Sequence, residues 1–207
     1  MSEIFHVHPD DPQQRMIEHA ASIVRDGGVI VYPTDSCYAL GCQLGNRTGR
    51  AQIRRIRAAD RNHRFSLLCH DLSEIATYAR VDNQSYRLLR QLTPGPYTFI
   101  LRATGEVPKR LNSKKRETIG IRVPDNKVCQ ALLASLGEPL VSATLQLPED
   151  EEPLTDPEDI QTRIERLVDG VLLAGMGNPE PTTVIDLTRD PPQVVRAGKG
   201  DVRATID

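Results

Sequence analysis

The sequence predicts a single α/β domain built on one twisted, mixed and largely antiparallel sheet flanked by helices. Three observations point there. Short uncharged runs rich in β-branched residues, such as Val29 to Tyr32, alternate with segments whose apolar residues recur at helical spacing. Some strand-like runs follow one another with no helix between them, as in an antiparallel or mixed sheet. No internal repeat and no long linker interrupts the 207 residues, so residues 1–207 read as one domain.

Composition narrows the function classes. With 26 Lys and Arg against 28 Asp and Glu, the chain-wide charge of -2 shows no general affinity for nucleic acid or membrane. Residues 1–14 are polar and charged, unlike a secretory signal, and no apolar run approaches a membrane span. Cys37, Cys42, Cys69 and Cys129 lack both CxxC pairing and histidines at zinc-ligand spacing. Free thiols in a reducing cytoplasm are therefore expected.

The elements follow in order. His6 and His8 form an HxH pair, read as one face of an opening strand rather than a chelate. Asp10 or Asp11 caps a helix with Pro12 near its first turn. Met16, Ile17, Ala20, Ile23 and Val24 form its apolar stripe, and Gly27 stops it. Val29 to Tyr32 is a buried strand that Pro33, lacking an N–H, must end. Thr34, Asp35 and Ser36 then stand at its carboxyl end, where α/β sheets bind ligands; an ordinary Asx or Ser/Thr turn is the alternative. Asn46 or Thr48 caps a second helix carrying Ile53 and Ile56, and Phe65 to Cys69 is a strand. Asp71-Leu72-Ser73-Glu74 resembles a capping box, and a short helix over about 84–92 stops before Pro94.

Residues 97–101 and 118–123 read as strands joined by a basic segment, 107–116. Asp125 or Asn126 opens a helix closed by Gly137, and 140–145 is a strand. An exposed acidic loop, 148–153, precedes a helix starting at Asp156-Pro157. Strands over 171–174, 183–187 and 193–196 complete the sheet.

Standard nucleotide motifs are missing. There is no GxxxxGK[ST] loop, and Gly175-Met176-Gly177-Asn178-Pro179 breaks a GxGxxG pattern with proline. Arginine is nonetheless concentrated at Arg47, Arg50, Arg54, Arg55, Arg57, Arg61 and Arg64, with Asp60 the one interleaved acid. At three- and four-residue spacings Arg47, Arg50, Arg54 and Arg57 share a helix face. A solvated face is the bland explanation. The planar guanidinium fork also suits phosphate, so Arg47, Arg50 and Arg54 are candidate RNA contacts.

Several segments carry a family resemblance. Tyr32-Pro33-Thr34-Asp35-Ser36-Cys37-Tyr38-Ala39-Leu40-Gly41-Cys42 is similar to the YPTDTxYGLGC signature of YrdC-like domains. Residues 94–101 resemble their PGPxTxIL segment and 120–124 their GxRxP segment. Residues 181–187 and 195–198 resemble the closing PSTVxDL and xRPG pieces. The matches lie in order within residues 32–198, and the acidic loop with Asp156-Pro157-Glu158 resembles the YciO branch. The resemblance implies a concave basic cleft that binds ATP and L-threonine. It implies synthesis of L-threonylcarbamoyladenylate from threonine, bicarbonate and ATP, which serves modification of adenosine in tRNA. Affinity for double-stranded RNA is also implied, and magnesium would travel with the nucleotide.

Carried over by position, the threonine end falls on Thr34, Ser36, His70, Arg122 and Thr182. Arg122 pairs either the substrate carboxylate or an internal acid such as Asp186. The nucleotide end falls on Arg57, Ser142, Thr144, Gln146 and Arg196. The family's K-x-R and S-x-N become Arg57-Ala58-Ala59 and Thr144-Leu145-Gln146, with Arg61 and Arg64 as substitutes for the missing charge. Three functions remain open: a threonylcarbamoyladenylate synthase of reduced activity, a non-catalytic double-stranded RNA- or nucleotide-binding protein, and a related reaction on another acceptor.

Overall fold

The computed structural model describes residues 2–60, 63–108, 111 and 117–205. The element order is β1 (Glu3–His6), α1 (Gln14–Arg25), β2 (Ile30–Tyr32), β3 (Ala39–Gln43), α2 (Arg47–Ile56) and β4 (Ser66–Leu68). Then come α3 (Leu72–Tyr78), β5 (Ala79–Arg80), α4 (Asn83–Leu92), β6 (Tyr97–Ala103), β7 (Thr118–Arg122) and α5 (Lys127–Leu136). Then follow β8 (Leu140–Thr144), α6 (Pro157–Ile164), β9 (Gly170–Leu173), β10 (Thr183–Asp186), β11 (Gln193–Arg196) and a closing 3-10 turn (Val202–Thr205). All the strands join one sheet in the order β1-β9-β2-β3-β8-β4-β7-β6-β10-β11, with β5 paired to β6. Pairs β1/β9, β2/β9, β4/β7 and β6/β10 are parallel and the others antiparallel. The sheet is mixed, as expected.

Two apolar clusters sandwich it. On one side Ile17, Ala20 and Val24 of α1 and Val128, Leu132 and Leu133 of α5 pack with Ile30, Tyr32, Leu140 and Leu172. On the other, α2, α3, α4 and α6 contribute Ile53, Ile75, Leu89 and Ile160 to the cluster containing Val29, Val31, Leu40 and Phe99. Alternate residues of β2 thus enter opposite clusters, so the strand needs apolar residues at every position.

Local signals explain most helix starts. Asn46, Asp71, Asp82, Asn126 and Asp156 each accept backbone N–H bonds at N-cap positions. Gly137 ends α5 in the left-handed region, at φ 69°. The capping box is displaced by one residue: Asp71 takes the Glu74 N–H at 2.9 Å, while Glu74 accepts from His70 N rather than from Asp71.

Other readings are corrected. Gln13, not Asp10 or Asp11, is the N-cap of α1 and makes no side-chain cap; Asp10 pairs with Lys127 at 3.3 Å. β1 ends at His6, and His8 Nδ1 instead accepts the Asp10 and Asp11 N–H groups. β3 is an additional strand, antiparallel to β2 with Tyr32 opposite Ala39. Its sequence, Ala-Leu-Gly-Cys-Gln, has neither β-branched residues nor a polar alternation. Four of its five residues are buried because both faces are covered. The expected basic connector before β7 lies mostly outside the described residues.

Candidate active site

The Pro33 corner leaves the sheet as its chemistry requires, and its polar side chains are already at work. Thr34 Oγ1 accepts the Ser36 N–H at 3.1 Å and donates to the Cys37 carbonyl at 2.7 Å, closing a Ser/Thr turn. Asp35 accepts the Asp125 N–H at 2.9 Å through Oδ2, and its Oδ1 pairs with Arg122 Nη2. Arg122 Nη1 donates to Ser36 Oγ at 3.2 Å. The internal acid beside Arg122 is therefore Asp35, not Asp186, which is held by Thr188 and Arg189. The corner fixes the arginine at the end of β7.

Beside it lies a cavity of about 410 Å³ on the sheet surface. Its floor has room because the strands send small side chains into it: Ala39, Ser66, Thr98, Gly120 and Ser142. Gly120 is tight: a Cβ there would sit 3.2 Å from Ser66 Oγ and 3.3 Å from Thr98 Cγ2. Arg57, Arg64, Arg122 and Arg196 bring guanidinium groups to its wall. Arg122 is neutralised by Asp35. The other three form no salt bridge among the described residues.

Arg57 and Arg196 are positioned by backbone carbonyls. Arg57, the C-cap of α2, donates through Nη1 to the Thr144 carbonyl of β8. Arg196 of β11 holds the Thr182 carbonyl with Nε at 3.1 Å and Nη2 at 2.8 Å, and Nη2 also reaches Thr182 Oγ1 at 3.2 Å. That hydroxyl pairs with Thr98 at 2.8 Å. Ser142 Oγ accepts from Tyr32 at 2.6 Å. Desolvation lowers the pKa of Arg57, and desolvation together with nearby Arg122 lowers that of Arg196. Excess positive charge in a partly dry hollow is the electrostatic preparation for an anion.

Of the sequence-predicted site residues, Ser36, Arg57, Arg64, Arg122, Ser142, Thr144, Thr182 and Arg196 line this one cavity. Others do not. Thr34 is consumed by its turn. His70 is exposed at the start of α3, 3.6 Å from Asp71, and lies off the cavity wall. Gln146 faces a neighbouring hollow, where its Nε2 holds the Asp150 and Glu151 carbonyls, each at 3.1 Å. It clamps the acidic loop instead of reaching for phosphate. Arg61 lies outside the described residues.

The helix-face reading of α2 is right in spacing and wrong in direction. Arg50 is 3% exposed, and the Arg54 guanidinium lies 5.0 Å over the Phe65 ring. Of Arg47, Arg50, Arg54 and Arg57, Arg47 is exposed, Arg54 and Arg57 are half-buried and Arg50 is buried.

Sequence reasoning missed two residues. His63 lines the cavity, and burial together with nearby Arg57 and Arg54 pushes its pKa down to about 4, so it is neutral at pH 7. Its position between the arginines of the 57–64 loop was the available signal. Lys199, in a Gly198-Lys199-Gly200 segment, donates through Nζ to the Asp35 carbonyl.

The Sua5_yciO_yrdC family model, described as telomere recombination, matches residues 22–198. This chain belongs to the Sua5/YciO/YrdC family. It is 55% identical over 203 residues to Escherichia coli YciO, covering 98% of both chains. The E. coli YciO crystal structure superposes with a TM-score of 0.95 at 54% identity, each chain covered in full. P. abyssi Sua5 complexed with L-threonine superposes at 0.87 and 20% identity, over 95% of this chain and 58% of that one. Within the Sua5/YciO/YrdC fold, then, the signature segments of residues 32–42 and 120–124 converge on the Asp35–Arg122 pair. Of the residues at the expected K-x-R and S-x-N positions, Arg57 and Thr144 line the cavity, whereas Ala59 and Gln146 do not. Among the described residues no helix is long and apolar enough to cross a membrane.

Proposed function

We propose that the cavity binds ATP and L-threonine and forms L-threonylcarbamoyladenylate slowly, in support of threonylcarbamoyl modification of tRNA adenosine. The observation that carries this reading is the meeting of three un-neutralised guanidinium groups with the Asp35–Arg122 corner in one hollow. The Sua5 relative with L-threonine bound supports an amino acid at such a fold.

The reaction brings converging negative charge together. Threonine nitrogen adds to bicarbonate carbon with loss of water, and the resulting carbamate oxygen attacks the α-phosphorus as pyrophosphate leaves. Arg57, Arg64 and Arg196 offset the phosphate charge, the Ser142 and Thr144 hydroxyls fix the nucleotide's place, and the Thr182 hydroxyl faces the threonine end. Arg122, oriented by Asp35, meets the amino-acid carboxylate through the Ser36 side. Magnesium accompanies the nucleotide and neutralises its phosphates. Slow turnover follows from the missing charge at Ala59 and from Gln146, which is turned away. A buried charged contact is typically worth ~2–5 kcal/mol, enough to change a rate by orders of magnitude.

Incubation with ATP, magnesium, bicarbonate and L-threonine should release pyrophosphate only when threonine is present. Arg196→Ala should abolish the excess. Equal release by both proteins would refute synthesis. ATP binding without threonine-dependent release would instead favour a non-catalytic nucleotide-binding protein, which the displaced Gln146 also fits.

A further inference from the structure

A second group of arginines lies beyond the main cavity. Arg80 of β5 and Arg102 of β6 are directly opposed in antiparallel register, so their side chains leave the sheet on the same side. Like charges so placed destabilise a sheet. Both residues are exposed, and neither forms a salt bridge among the described residues. Arg189 joins them across a hollow of about 470 Å³. Its Nε is anchored at 3.2 Å to Asp186, whose other oxygen takes the Thr188 N–H at 3.0 Å and hydroxyl at 2.6 Å. That anchor directs the guanidinium, and its Nη groups have no hydrogen-bond partner among the described residues. Two acids also line the hollow. Asp82 is occupied in capping α4 through the Ser85 N–H at 2.7 Å, and Asp190 is exposed.

The hollow neighbours the main cavity through shared lining residues. Arg102, Thr188 and Arg189 also line a small depression with Thr118, and Thr118 lines the main cavity as well. We propose that Arg80, Arg102 and Arg189 form a second anion subsite that takes a phosphoryl group, as a free oligophosphate or a phosphodiester of a nucleic-acid strand. The forked geometry of three guanidinium groups suits phosphate oxygens better than a single carboxylate. The site is independent of ATP turnover in the main cavity, so either assignment can fail alone.

Titration calorimetry of the full chain with pyrophosphate tests it. Two sites per chain are expected, falling to one in Arg80→Gln/Arg102→Gln. Circular dichroism melting verifies that this variant folds, and Arg80→Gln alone serves if it does not. A short single-stranded oligonucleotide distinguishes the source. Binding weakened about tenfold in the variant, with a shallower salt dependence, assigns the hollow to a phosphodiester strand. Unchanged oligonucleotide binding beside the lost pyrophosphate site assigns it to free oligophosphate. Pyrophosphate stoichiometry that is the same in wild type and variant overturns the proposal.

Discussion

Ala58 follows α2 with φ of 46°, a left-handed conformation that L-residues with a Cβ resist. The Ala58 N–H reaches the Arg55 carbonyl at 3.2 Å and the Ala59 N–H the Arg54 carbonyl at 2.9 Å, the paired bonds of a Schellman cap. Glycine fits such a position, so Ala58→Gly should stabilise the fold by about 1 kcal/mol, measured as a higher urea midpoint. His63 gives a second residue-scale prediction. The unfolded imidazole protonates near 6.5, whereas the native one waits until about 4. The unfolded state therefore binds the extra proton first, and stability present above pH 6.5 is lost as pH falls toward 4. Urea titrations at pH 7 and pH 5 should show His63→Asn losing less stability across that interval than wild type, by under about 1 kcal/mol because the half-exposed ring is screened by solvent. Equal losses would contradict the half-buried neutral imidazole.

At the scale of elements, what was legible depended on whether the signal was local. β2 with its Pro33 exit, the Asn46 and Asp156 caps and the Gly137 stop are written in neighbouring residues. β3 was not, because its burial comes from α2 on one side and Tyr32 and Leu140 on the other; a Cβ at Gly41 would meet both within 2.7 Å. The inward turn of the α2 arginines was hidden for a similar reason. Charge spacing defines a helix face, but the Phe65 ring and the Thr144 carbonyl that receive Arg54 and Arg57 are distant in sequence or in a loop. The strap after β11 shows the same long-range dependence. Thr183 Oγ1 accepts the Gly198 N–H at 3.0 Å and donates to the Gly200 carbonyl at 2.6 Å. A Cβ at Gly198 would overlap the Pro181 and Thr182 carbonyl groups. Gly198→Ala should cost about 1–3 kcal/mol by overpacking and loosen the Arg196 clamp on Thr182. A lower melting temperature together with weaker ATP binding is the expected pair of readouts; an unchanged melting temperature would contradict the close packing.

For the whole molecule, the sheet collects residues from positions 36 to 196 around one hollow, and eight of the site positions inferred from motifs line it. The motif order revealed which segments meet, since each segment had a recognisable partner. It could not reveal that Gln146 turns to the acidic loop or that Asp35 already occupies Arg122, because both depend on side-chain competition after the backbone is set. The central claim is that the guanidinium wall holds a nucleotide's phosphates. Calorimetric ATP affinity of wild type against Arg57→Ala/Arg196→Ala, at low and high salt, tests it most directly. The double variant should bind at least about tenfold more weakly, with a shallower salt dependence. ATP affinity unaltered by removing both arginines would contradict the account.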